Sequence, residues 1–151
     1  MIGINVVEAE MTKTNEYQNG IELWNSEKYT AALKAFAKTV ALNPYDIDCW
    51  FARGTLLMMD GKLREALKCY EKVIELNPAY NNYGAYFNKA FIFSTLSKYE
   101  EAISCYNAII PQSKEVYLGK FETYKKWGKT EKARNSYEKM ITMEPSWSLI
   151  W

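Results

Sequence analysis

The residues able to do chemistry are few. The chain has three cysteines, Cys49, Cys69 and Cys105, and no histidine. A missing imidazole removes the usual triad base, the commonest general acid–base group and most zinc sites. The cysteines are odd in number and lack CxxC spacing, so buried free thiols in a reducing compartment are favoured over a disulfide. Cys69 and Cys105 each stand directly before a tyrosine, Tyr70 and Tyr106, an equivalence that argues for packing rather than nucleophilic work. Neither GxGxxG nor GxxxxGK followed by Ser or Thr occurs, so no phosphate-cradling loop is encoded. Acids pair with lysines, as in Lys68, Glu71, Lys72 and Glu75, the pattern of a solvated helix surface. The expectation is a protein that is not an enzyme and takes no cofactor or metal.

Chemistry this sparse turns attention to the elements themselves. At 151 residues the chain has the length of one ordinary domain and buries roughly two thirds of its unfolded surface. It is 48% hydrophobic and 25% charged, a globular composition. A net charge of +1, from 19 basic and 18 acidic residues, gives neither a nucleic-acid footprint nor a polybasic membrane segment. The longest apolar runs, such as Gly54 to Met59, fall far short of the roughly 20 residues of a membrane span. The opening MIGINVVEAEM has no basic n-region and Asn5 breaks its apolar run, so it does not read as a secretory signal. The cytoplasm is the expected compartment.

The stretch from Ile47 to Tyr80 carries an aromatic, Trp50, then Gly54, a turn glycine Gly61, Ala66, an aromatic Tyr70 and a closing Pro78. The same marks stand 34 residues earlier: Gly20 before Gly54, Ala32 before Ala66, Phe36 before Tyr70, Pro44 before Pro78. A third unit is displaced by two residues, because Ala66 to Ala102 is 36, with the extra length in the AYNNYG stretch, read as a loop before the next helix. Tyr86, Ala90, Phe93, Tyr99, Ala102 and Tyr106 mark that unit, and the early Pro111 cuts its second helix short. A fourth follows after 31 residues, marked by Tyr117, Tyr124, Gly128, Ala133, Tyr137 and Pro145, with Phe121 in the small position of its first helix. The units are 13–46, 47–80, 83–113 and 114–147 of one domain, 13–147. Residues 1–12 form a leader, loose or helix-extending. In the first unit Asn25 and Ser26 supply the turn, and Glu16 replaces the aromatic, which fits a terminal repeat. Trp151 stands six residues past Pro145, as Trp50 stands six past Pro44, so 148–151 reads as the start of an incomplete further helix.

These marks resemble the tetratricopeptide repeat, a helix–turn–helix unit of about 34 residues. The resemblance implies an all-α, right-handed superhelical solenoid of about four such repeats, in which small residues at helix crossings let backbones approach and each pair stacks on the next. It also implies a protein–protein interaction scaffold that docks a partner helix or extended peptide in a concave groove lined by the first helix of each pair. The family's groove positions fall on Tyr17, Ile21, Trp24 and Asn25 in the first unit and on Phe51, Thr55 and Met58 in the second. They fall on Phe87 and Phe91, beside Asn88, in the third, and on Glu122 and Lys125 in the fourth. The apolar members form a stripe of a kind seldom left bare, while Asn25, Asn88, Glu122 and Lys125 would orient the partner. The competing reading places the aromatics in the core.

Chaperone-docking members of the family hold a C-terminal carboxylate in a basic and amide clamp. Those places hold Tyr17, Ile21, Ala52, Gly84 and Asn88 here, and only Asn88 suits the role, so an acidic chaperone tail is not the expected partner. The partner is expected to be another protein with apolar anchors, not nucleic acid or membrane. The alternative is a structural module that forms homo-oligomers through an uncapped C-terminal end carrying Trp147, Leu149, Ile150 and Trp151. The last unit is somewhat basic, and Lys120, Lys125, Lys126, Lys129, Lys132 and Arg134 could meet an acidic partner, although a solvated helix face is the favoured reading.

Overall fold

Short spacers between apolar-periodic stretches leave room for helices joined only by tight turns. The computed structural model describes residues 15–144 and, within them, eight α-helices and no strand. α1 covers residues 15–25 of the described chain. It is followed by α2 (Tyr29–Leu42), α3 (Ile47–Met59), α4 (Leu63–Leu76), α5 (Tyr80–Thr95), α6 (Tyr99–Asn107), α7 (Lys114–Trp127) and α8 (Thr130–Met143). The chain divides into two compact units, Met1–Pro78 and Ala79–Trp151.

Each odd-numbered helix ends in the same way. A residue in the left-handed region follows its last turn: Glu27 (φ 60°), Gly61 (φ 76°), Ser97 (φ 58°) and Gly128 (φ 74°). The next residue is a lysine whose N–H reaches back five positions: Lys28 to the Leu23 carbonyl, Lys62 to Leu57, Lys98 to Phe93 and Lys129 to Tyr124. This is a Schellman closure, which satisfies carbonyls that the helix end leaves unpaired. The first turn therefore pivots on Glu27, and Asn25 is still helical.

In the first unit, Asp46 caps α3 by accepting from the Cys49 N–H at 2.9 Å. Trp50 donates its indole N–H to the Pro44 carbonyl at 2.8 Å, which gives the six-residue spacing between them a physical cause. Gly20 lies under the Phe36 ring so closely that a Cβ would sit 2.5 Å from it, and a Cβ on Gly54 would sit 3.0 Å from the Tyr70 ring. Ala32, Phe36, Val40, Cys49, Ala52 and Leu56 form the core, with Ala66, Cys69, Tyr70 and Val73 of α4 buried against α3.

In the second unit, the AYNNYG stretch is not an open loop before a helix. It enters α5 as a left-handed turn at Asn81, Asn82 and Tyr83, with φ of 49°, 51° and 62°. Asparagine tolerates that region far better than most residues, so two of the three positions suit it. α6 spans only nine residues and ends before Pro111, and Ser113 then caps α7 through the Val116 N–H. The core comprises Ala90, Ala102, Ile103, Cys105, Tyr106, Ile109 and Val116. Phe121 is fully buried and tilts against Tyr137 at 5.8 Å between centroids. A separate close approach in α7 is made by Gly119, where a Cβ would lie 2.4 Å from the Tyr106 ring of α6.

Candidate peptide-binding surfaces

Residues that fill a core on one side and face out on the other are those that can hold a partner without unfolding the scaffold. In the first unit Tyr17 and Trp24 both pack on Phe36, at 5.9 Å and, edge-on, at 6.3 Å. Both are half-buried, as is Ile21 on the same core, while Asn25 is exposed at the end of α1. Burial, then the Asp48 carboxylate, raises the Tyr17 hydroxyl above its ordinary range. Phe51 meets Tyr70 edge-on at 5.7 Å. Thr55 donates to the Phe51 carbonyl at 3.0 Å and accepts from the Tyr70 hydroxyl at 3.2 Å. Met58 is half-buried, whereas Met59 is 62% exposed and borders a recess of about 290 Å³ with Tyr29, Leu56 and Asp60.

In the second unit Phe87 meets Tyr106 edge-on at 5.9 Å. Phe87 also lines a cleft of about 660 Å³, together with the apolar Tyr83, Ile109 and Pro111 and the polar Asn82, Ser113 and Glu115. The Tyr83 hydroxyl donates to the Ile110 carbonyl at 2.6 Å, tying the two walls together. The Ser113 hydroxyl and a backbone N–H hold the Glu115 carboxyl below its ordinary range, so the cleft carries a negative charge at neutral pH. Phe91 is 56% exposed, Asn88 is half-buried, and Glu122 and Lys125 are exposed, the Lys125 ammonium lying 4.9 Å from the Phe121 ring centre.

The sequence-derived set thus divides. Tyr17, Ile21, Trp24, Asn25, Phe51, Thr55 and Met58 belong to the first unit, and Phe87, Asn88, Phe91, Glu122 and Lys125 to the second. Of the latter, only Phe87 lines the cleft. The other walls were not foreseen: Tyr83 is positioned by the left-handed turn, and Ile109 and Pro111 by the link after α6. Pro111 signalled a helix end but nothing about a cavity. Trp147, Leu149, Ile150 and Trp151 lie outside the described residues.

The three thiols are free and buried. Burial, followed by the Asp46 carboxylate, pushes Cys49 up to about 12. Burial also raises Cys69 and Cys105, so all three are held protonated at neutral pH and are poor nucleophiles. Among the described residues no cluster of His, Cys, Asp and Glu could hold a metal, and no helix is long and apolar enough to cross a membrane.

The model of the tetratricopeptide repeat matches residues 47–80, 83–110 and 115–146. The chain belongs to the tetratricopeptide repeat family. This tetratricopeptide repeat protein is 30% identical over 93 residues to the Hsp70–Hsp90 organizing protein of Triticum aestivum, a match that takes in 62% of this chain but 16% of that protein's length. The crystal structure of MamA protein superposes with a TM-score of 0.78 at 20% identity, covering 89% of this chain and 74% of that one. YrrB, described as a tetratricopeptide repeat protein with an unusual peptide-binding site, superposes with a TM-score of 0.75 at 24% identity, covering 88% of this chain and 69% of that one. The fold is an all-α helical repeat solenoid.

Proposed function

We propose that the first helix of each repeat presents an apolar surface on which a partner helix or extended peptide docks. In the first unit Tyr17, Ile21, Trp24, Phe51 and Met58 would supply the anchoring area, with Asn25 and Thr55 to orient it. In the second, Phe87 and Phe91 anchor, and Asn88, Glu122 and Lys125 orient.

The observation that carries this reading is the cleft bordered by Phe87. A concave site with apolar walls and a few convergent polar groups is where ligands most often bind, and Ser113 and Glu115 would meet backbone N–H groups or a basic side chain of the guest. Helix-in-groove recognition reads apolar anchors at such spacing. A peptide-binding site named for YrrB and a chaperone-organizing relative support a polypeptide partner. The clamp positions Tyr17, Ile21, Ala52 and Gly84 cannot provide a basic and amide cradle, so the partner is distinguished by apolar anchors rather than by an acidic terminus.

The test is a displayed-peptide selection on the immobilised chain. Enrichment of sequences with repeated Leu, Phe or Trp anchors, lost on Trp24→Ala or Phe87→Ala protein of unchanged helicity, supports the proposal. Enrichment that survives both substitutions refutes it.

A further inference from the structure

One site lies away from the surfaces above and has a different chemistry. Between α7 and α8 a recess of about 250 Å³ is lined by Tyr117, Lys120, Tyr124, Lys132, Asn135, Ser136 and Lys139. No carboxylate is among those residues. None of the three lysines has an ion-pair partner within the described residues: Lys120 donates to the Gln112 side chain, and the ammonium groups otherwise lie against rings. Lys120 and Lys139 sit 5.3 and 5.5 Å from the Tyr117 ring centre, and Lys132 sits 5.8 Å from that of Tyr124. The nearby acids Glu144 and Glu131 are engaged with Lys114 and Arg134. Desolvation, and then the charge of Lys139, lowers the Lys120 pKa, as expected where like charges share a partly buried space.

The repeat pattern shows why this unit differs. The places of Lys120 are taken by Arg53 in the second repeat and Lys89 in the third, and the place of Lys132 by Glu65 and Glu101. There a cation and an acid both act on one buried thiol, Arg53 and Glu65 on Cys69, Lys89 and Glu101 on Cys105. In the fourth repeat Lys132 stands in the place of that acid, so both positions carry a cation.

We infer that the α7–α8 recess is a second docking site, which takes paired Asp or Glu side chains of a partner polypeptide. An ammonium cluster without a counter-charge gains most from a carboxylate that arrives already desolvated by the interface. The site suits a short acidic segment better than a nucleic acid. The Tyr117 and Tyr124 rings are engaged, Tyr117 by two lysines and Tyr124 by Lys132 and by stacking on Trp127, and stacking platforms for bases call for open ring faces. None of these residues belongs to the apolar docking surface, so either site can fail without the other.

The test measures binding of fluorescein-labelled hexaglutamate to the full chain by anisotropy, with hexaglutamine and oligothymidylate as comparators. The expected result is binding of hexaglutamate alone. Lys132→Glu, which restores the charge found in the second and third repeats, should weaken it by about ten-fold or more while leaving the melting temperature equal or higher. Lys34→Glu, the same charge change at an exposed position of α2, should alter it by less than about two-fold, and Trp24→Ala should leave it unchanged. The inference is overturned if hexaglutamate does not bind at millimolar concentration, or if Lys34→Glu and Lys132→Glu weaken it equally, which would mean diffuse attraction. Tighter binding of oligothymidylate would overturn it in favour of a nucleic-acid site.

Discussion

Tyr70 stands edge-on to Phe51, 5.7 Å between ring centres, and donates its hydroxyl to Thr55 one turn further along α3. A first-helix ring also meets a second-helix ring edge-on in Phe87 with Tyr106, and tilted at 40° in Tyr17 with Phe36. In each case the second-helix aromatic is buried and the first-helix ring is half-buried. Aromatic pairs of this geometry contribute about 0.5–1.5 kcal/mol beyond burial. Tyr70→Phe, which removes the bond to Thr55, should cost about 1 kcal/mol, and Phe51→Ala about 2–3 kcal/mol. Urea unfolding followed by helicity measures both.

The glycines divide into two kinds, and substitution should separate them. Gly20→Ala and Gly119→Ala would place a Cβ 2.5 and 2.4 Å from the Phe36 and Tyr106 rings and should each cost about 1–3 kcal/mol by overpacking. Gly61→Ala meets nothing within 4 Å, so its cost should be the left-handed backbone alone, about 1 kcal/mol. Thermal melts of the three variants check the ranking.

The repeated helix ending predicts gains as well. Glu27 and Ser97 occupy at φ 60° and 58° the place that Gly61 and Gly128 fill in the other repeats. Glu27→Gly and Ser97→Gly should relieve backbone strain, offset in part by a more flexible unfolded chain, for a net gain of up to about 1 kcal/mol each. A melting temperature that falls in both variants would contradict this reading of the turn.

Stability should fall on the alkaline side. Burial holds the Cys49 thiol at about 12, against an ordinary 9.0 in the unfolded chain. Between those values the unfolded state releases a proton that the folded state keeps, so the contribution is complete below about 9 and is lost as pH rises toward about 12. Tyr17 and Tyr106, also raised, act in the same direction, while the lowered Lys120 opposes them. Denaturation midpoints measured across that range should drop less in Cys49→Ala. In the same vein, a thiol reagent at neutral pH should label the three cysteines only as the protein unfolds.

The period of 34 residues, read from Gly20 and Gly54, Ala32 and Ala66, Phe36 and Tyr70, was legible because each mark is a packing requirement that recurs with the unit. The features that escaped depend on backbone geometry instead. Composition does not say whether Asn81 and Asn82 form a loop or a left-handed turn, since asparagine serves in both. The pivot at Glu27 was hidden because a charged residue stands where the aligned position holds Gly61. Register placed Phe121 opposite Tyr137 of α8, but did not show that Gly119 makes a close approach to α6. The cleft at Phe87 needed the positions of Tyr83, Ile109 and Pro111, which belong to no repeat mark. Charge was more readable: the lysines of the last unit were visible, but their convergence between α7 and α8 depends on the helix pairing.

The central claim is that half-covered apolar residues on the first helices hold a partner. The most direct measurement is the affinity of one selected apolar-anchored peptide for wild-type, Phe91→Ala and Trp24→Ala protein, at matched helicity and melting temperature. Phe91, 56% exposed, can be truncated with little effect on the fold. A loss of about ten-fold or more in at least one variant is predicted; affinity unchanged in both would contradict the account.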